Sequence, residues 1–136
     1  MSDPLISQET IENAKIALKH RLFVPGWQMR ELLLQAAGRK QPLSPMVVEL
    51  LYRGDQPVAV GLSKYTLSEN IRVSCIVHVF VRKTHRRQGL GRQLVHQLTQ
   101  TAHQHHCEVK CFNGVDGSEV FWQRMSEQGY VNVILF

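Results

Sequence analysis

The sequence predicts a mixed α/β fold, a mostly antiparallel central sheet flanked by helices, with elements in the order α-α-β-β-β-α-β-α-β. Three observations predict it. Apolar residues recur at helical spacing up to Ala37 and at strand spacing from Met46 onward. The run Arg72 to Arg82 carries apolar side chains on both alternations, as a strand in the middle of a sheet does. After that run, helical and strand patterns alternate to the C-terminus, which requires helical crossovers.

The elements follow in order. Residues 8–20 carry Ile11, Ala14, Ile16, Ala17 and Leu18 among polar residues, with Ser7 as N-cap, and read as an amphipathic helix. Pro25-Gly26 breaks it. Trp27 to Ala37 reads as a second helix closed by Gly38. Pro42 and Pro45 mark a loop, and 46–52 reads as the first strand. Gly54-Asp55-Gln56-Pro57 turns the chain into a second strand over 58–67, and Ser68-Glu69-Asn70 into the third. On that third strand, alternation places Val73, Cys75, Val77, Val79 and Val81 on one face, with Ile76 and Phe80 on the other. Gln88 to His106 is helical, with Leu90, Leu94, Val95, Leu98 and Ala102 as its inward stripe. Glu108 to Phe112 is a short strand, Ser118 to Gln128 a helix stopped by Gly129, and Tyr130 to Phe136 a last strand.

The chain has 136 residues, 43% of them hydrophobic and 20% charged, a globular balance sized for a single domain over 1–136. Cys75, Cys107 and Cys111 are odd in number and lie in apolar contexts, which argues against a disulfide scaffold and for a reducing, cytoplasmic setting. The N-terminus shows no signal-peptide pattern and no apolar run reaches membrane-spanning length, so no membrane partner is expected.

The net charge of +5 is unevenly placed. No acidic residue falls between Glu69 and Glu108, whereas six basic side chains do: Arg72, Arg82, Lys83, Arg86, Arg87 and Arg92. Within this stretch a buried strand runs into a basic loop and then into a helix opened by Gly89 and Gly91. That order makes an anion cradle: unpaired N–H groups and the helix dipole meet negative charge, and the glycines let a diphosphate approach the backbone.

Arg86-Arg87-Gln88-Gly89-Leu90-Gly91 resembles the Arg/Gln-x-x-Gly-x-Gly/Ala signature of the GNAT superfamily of N-acetyltransferases, and the strand ending Val79-Phe80-Val81 resembles the strand before it. Val58-Ala59-Val60-Gly61 is similar to another strand of that family. Phe121-Trp122 with Gly129-Tyr130 is similar to its C-terminal helix and strand, so the likeness spans residues 46–136. The resemblance implies a GNAT-like fold, an acetyl-coenzyme A cofactor, and acetyl transfer to a primary amine by direct attack. It places the pyrophosphate on the loop Arg86, Arg87, Gln88, Gly89, Leu90, Gly91 and Arg92. It places the pantetheine in a gap between splayed strands, against the main chain of Val79, Phe80 and Val81, with Asn113 nearby. The family also commonly opens with a strand before its first helices, which Pro4-Leu5-Ile6 does not show.

Relatives often use a Glu on the strand before the signature as base and a Tyr on the last helix as acid. Arg72 to Arg82 contains no carboxylate, and the tyrosine position is held by Trp122 or Met125, depending on register. His78 is the candidate base on that strand and Tyr130 the candidate acid, each weighed against simple packing. His103, His105, His106 and Cys107 lack the spacing of a zinc site, so no metal is expected. The alternative to an enzyme is a non-catalytic GNAT-like module that binds coenzyme A or a protein. A nucleic-acid-binding role is disfavoured by the lack of an aromatic stacking series. The acceptor, a small molecule or a protein amine, carries no diagnostic motif. The apolar C-terminal strand makes a homodimer one way of covering it.

Overall fold

The computed structural model describes residues 7–23, 28–38, 45–68, 71–113 and 132–135. The chain runs α1 (Gln8–Lys19), α2 (Gln28–Ala36), β1 (Met46–Arg53), β2 (Gln56–Ser68), β3 (Ile71–Val81), a 3-10 turn at Lys83–His85, α3 (Leu90–Gln104), β4 (Glu108–Asn113) and β5 (Asn132–Leu135). The expected helix over 118–128 and Tyr130 lie outside the described residues.

The helix ends follow their capping chemistry. The Ser7 hydroxyl accepts from the Thr10 amide at 3.1 Å and opens α1. Gly38, at φ +78°, closes α2 in the left-handed conformation that glycine adopts freely. At the end of α1, the Leu22 amide reaches the Ala17 carbonyl (2.9 Å) and the Arg21 amide reaches that of Leu18 (3.2 Å). This is a Schellman closure with Arg21, at φ 54°, in the position glycine usually takes.

The five strands among the described residues lie in sequence order. β1–β2 and β2–β3 pair antiparallel, and β3–β4 and β4–β5 pair parallel. The β1–β2 hairpin is tighter than the sequence suggests: Arg53 faces Gln56 and Pro57 already pairs with Tyr52, leaving only Gly54-Asp55 as the turn. α3 is the crossover from β3 to β4 and packs on one face of the sheet through Leu90, Leu94, Val95, Leu98 and Ala102. α1 and α2 pack on the opposite face against Val48, Leu50, Val60 and Leu62. Gly61 lets α3 lie close, since a Cβ there would sit 2.8 Å from Leu98 Cδ1.

One correction to the expected pattern matters for the site. Leu62 faces His78 while Ser63 faces Ile76, so Val77 is an extra residue on β3, a β-bulge. The simple alternation therefore breaks. Val77 packs with Phe80 on the α1–α2 face, whereas Ile76, Val79 and Val81 pack towards α3. His78 pairs with Leu62 and so joins the α1–α2 face.

Candidate active site

The bulge coincides with a parting of strands. β3 pairs with β2 along its whole length, but its ladder with β4 covers only Val73–Ile76 against Glu108–Cys111. Beyond that point β4 continues to Asn113 beside β5. A bulge bends its strand and increases its local twist, which turns the second half of β3 away from β4.

The register shows which main-chain groups face this gap. The Arg82 amide bonds the Val58 carbonyl at 2.8 Å, which makes 82/58 a hydrogen-bonded pair. Antiparallel pairs alternate, so Phe80/Val60 is also a hydrogen-bonded pair, while Val79/Gly61 and Val81/Ala59 are not. Val79 and Val81 therefore turn their N–H and C=O groups towards the gap, and those of Phe80 are directed at β2. The Val81 carbonyl accepts from Arg86 Nε at 3.0 Å. Of Val79, Phe80 and Val81, the first and third thus face the gap through their main chains, and Phe80 contributes its side chain to the α1–α2 face.

The basic loop closes the same end of the gap. Arg87 holds φ 65°, a left-handed conformation that costs a non-glycine residue about 1 kcal/mol. Gly89 follows at φ 77° and ψ 12° as N-cap of α3, with no side-chain cap and no acidic residue in the first turn. The first backbone bond of the helix runs from the Gln93 amide to the Gly89 carbonyl at 3.1 Å, so the amides of Leu90, Gly91 and Arg92 lie ahead of it. A left-handed residue leading into helical ones gathers successive N–H groups into a concavity suited to anions. A Cβ on Gly89 would meet nothing within 4 Å and would project into open space. Arg86, Arg87, Gln88 and Arg92 are exposed at its rim.

His78 is buried, 9% exposed, and desolvation holds its pKa below the usual 6.5. Its imidazole is therefore neutral at pH 7 and able to accept a proton. Asn113 ends β4 beyond the last β3 pair, on the other side of the gap. Tyr130 lies outside the described residues.

One member of the basic run serves the fold. Arg82 Nη2 donates to the His20 carbonyl at 2.9 Å and Arg82 Nε to that of Pro57 at 3.4 Å, strapping the C-terminal end of α1 to the sheet. Sequence reasoning missed this role and the bulge, because neither leaves a local pattern. Among the described residues no three His, Cys, Asp or Glu side chains gather as metal ligands, and no helix is long and apolar enough to cross a membrane.

An uncapped helix N-terminus beside parted parallel strands offers a place for an extended anionic ligand, and the class of the fold follows from comparison with known proteins. The acetyltransferase (GNAT) family model matches residues 16–126, and the chain belongs to that family. No curated protein matches it in sequence. Among solved structures it is similar to an aminoglycoside N-acetyltransferase in complex with coenzyme A (12% identity, 96% of this chain and 88% of the other, TM-score 0.63). It is also similar to a ribosomal-protein-alanine N-acetyltransferase from Brucella melitensis biovar Abortus (15% identity, 87% and 86%, TM-score 0.63). A third is an aminoglycoside 6'-N-acetyltransferase from Acinetobacter haemolyticus (17% identity, 90% and 86%, TM-score 0.59). At these identities the likeness is one of fold.

Proposed function

We propose that the protein is an acetyl-coenzyme A-dependent N-acetyltransferase that acts on a primary amine by direct attack. The observation that carries this reading is the meeting, at one end of the sheet, of an uncapped α3 N-terminus with the point where β3 and β4 part. Acetyl-coenzyme A, when bound, supplies an acetyl thioester with a thiolate leaving group. The amides of Gly89, Leu90, Gly91 and Arg92 hold the pyrophosphate, with Arg86, Arg87 and Gln88 at the rim. The main chains of Val79 and Val81 hold the pantetheine as a strand would, and Asn113 stands on the opposite wall. The Val79 N–H adds a fixed dipole of the kind that stabilises charge on an acyl oxygen.

An alkyl ammonium has a pKa of about 10.4 and must lose a proton before it attacks. His78, kept neutral by burial, accepts that proton. Tyr130 is the candidate donor to the departing sulfur. A non-catalytic coenzyme A-binding module remains the competing reading, and one experiment separates the two. Calorimetry with coenzyme A tests the cradle, and thioester consumption against a panel of amines tests turnover. Gly89→Val puts a branched side chain at the mouth of the cradle, at a positive φ that valine rarely adopts, and we expect coenzyme A affinity to fall by about tenfold or more with the far-UV spectrum unchanged. Unchanged affinity in Gly89→Val overturns the cradle. Coenzyme A binding without turnover of any amine favours the module.

A further inference from the structure

The outer side of the α1–α2 pair holds a second basic feature, distinct from the loop before α3. A cleft of about 460 Å³ is lined by Lys15, Leu18, Lys19, Arg21, Phe23, Arg30 and Leu34. Among the described residues that line it, four of the seven are cations and none is acidic. Helical spacing explains the arrangement. Lys15 and Lys19 stand one turn apart on α1, Arg30 and Leu34 one turn apart on α2, and the Schellman closure of α1 brings in Arg21. Glu12 lies 3.6 Å from Lys15 Nζ, an exposed pair that offsets part of one charge. Leu18 and Phe23 also pack against the core cluster that includes Val48, Leu50, Val60 and Leu62 of the sheet, so the apolar part of the cleft is anchored to the sheet.

Arg21 is the informative residue. At φ 54° its position favours glycine, yet it carries a long cation that lines the cleft. The backbone strain is kept where the side chain joins three other positive charges.

We propose that this cleft binds a small organic anion: an apolar or aromatic body carrying phosphate or carboxylate groups. The volume is that of a small-molecule site. The three apolar side chains suit the body of such a ligand, and the four cations suit its charge.

The probe is 1-naphthyl phosphate, with 1-naphthol and inorganic phosphate as controls, titrated by calorimetry and by amide NMR. We expect saturable binding of the naphthyl phosphate with shifts at Leu18, Phe23 and Leu34, and far weaker binding of either control. Lys19→Gln and Arg30→Gln should each weaken it by about tenfold, and coenzyme A should not compete. Arg21→Gly should weaken it while raising the Tm by a few degrees, because the strain is relieved. A merely structural Arg21 would move the Tm without moving the affinity. Equal affinity in the three variants, displacement by coenzyme A, or naphthol binding as tightly as its phosphate would each overturn the proposal. Coenzyme A affinity, measured on the same variants, stays at the wild-type value, so loss of the cleft and loss of the cradle are separate results.

Discussion

His78 stands next to the bulge residue, where β3 leaves β4, and its value as a base depends on that burial. An exposed histidine titrates near 6.5 and is partly protonated in weak acid; the desolvated ring of His78 stays neutral further down. The acid limb of kcat/KM should therefore lie below pH 6.5, and His78→Gln should abolish that limb and lower kcat by about a hundredfold. Steady-state rates from pH 5 to 9 decide it, and an unchanged profile in His78→Gln removes the residue from the mechanism. At this scale the sequence was legible where a residue type carries its own geometry. Ser7 caps, Gly38 and Gly89 adopt positive φ, and His78 sits among β3 apolar residues. Arg82 was illegible, because its partner carbonyl belongs to His20, 62 positions away in the chain. Arg21 and Arg87 were illegible too, since both take a conformation that their residue type does not announce.

Among elements, β3 and α3 set the site together. Leu90 and Leu94 dock the first turns of α3 over Ala59, Val79 and Val81, so the helix N-terminus stays fixed beside the gap. Gly61 permits that approach by leaving room for Leu98. The existence of both elements was readable from their periods, and the loop between them from its glycines and charges. The bulge was not, because a strand with apolar side chains on both alternations looks the same in either register. This explains why Val77, Val79 and Val81 read as one face. The register makes a sharp prediction for amide exchange. Without ligand, the Val79 and Val81 amides should exchange fast and the Phe80 amide slowly, since only Phe80 donates across to β2. Coenzyme A should slow Val79 and Val81 and leave Phe80 unchanged. Slow exchange at all three in the free protein would mean that the gap is closed.

Across the whole molecule, two desolvated groups on opposite faces of the sheet oppose each other in their dependence on pH. Glu49 pairs with Gly61 on the α3 side of β1, and its pKa is raised above 4.5, chiefly by desolvation and secondly by Glu9. A raised carboxyl pKa means that the folded chain prefers the protonated form. Its contribution to stability is complete below pH 4.5 and is lost as pH rises through the folded value. His78 behaves in the reverse sense: its lowered pKa favours the neutral ring, so its contribution is complete above pH 6.5 and is lost as pH falls through the folded value. Going down from neutrality, the chain loses the His78 contribution and recovers that of Glu49, so the two dependences oppose each other in weak acid. Glu49→Gln should raise the Tm by a few degrees at pH 7 and by nothing below pH 4.5. His78→Gln should flatten the slope just below pH 6.5. Thermal melts of the wild type, both single variants and the double variant from pH 4 to 8 test this, and the two effects should add because the groups lie on opposite faces of the sheet. A Glu49→Gln gain that persists below pH 4.5 would show that the glutamate acts through packing and not through its charge.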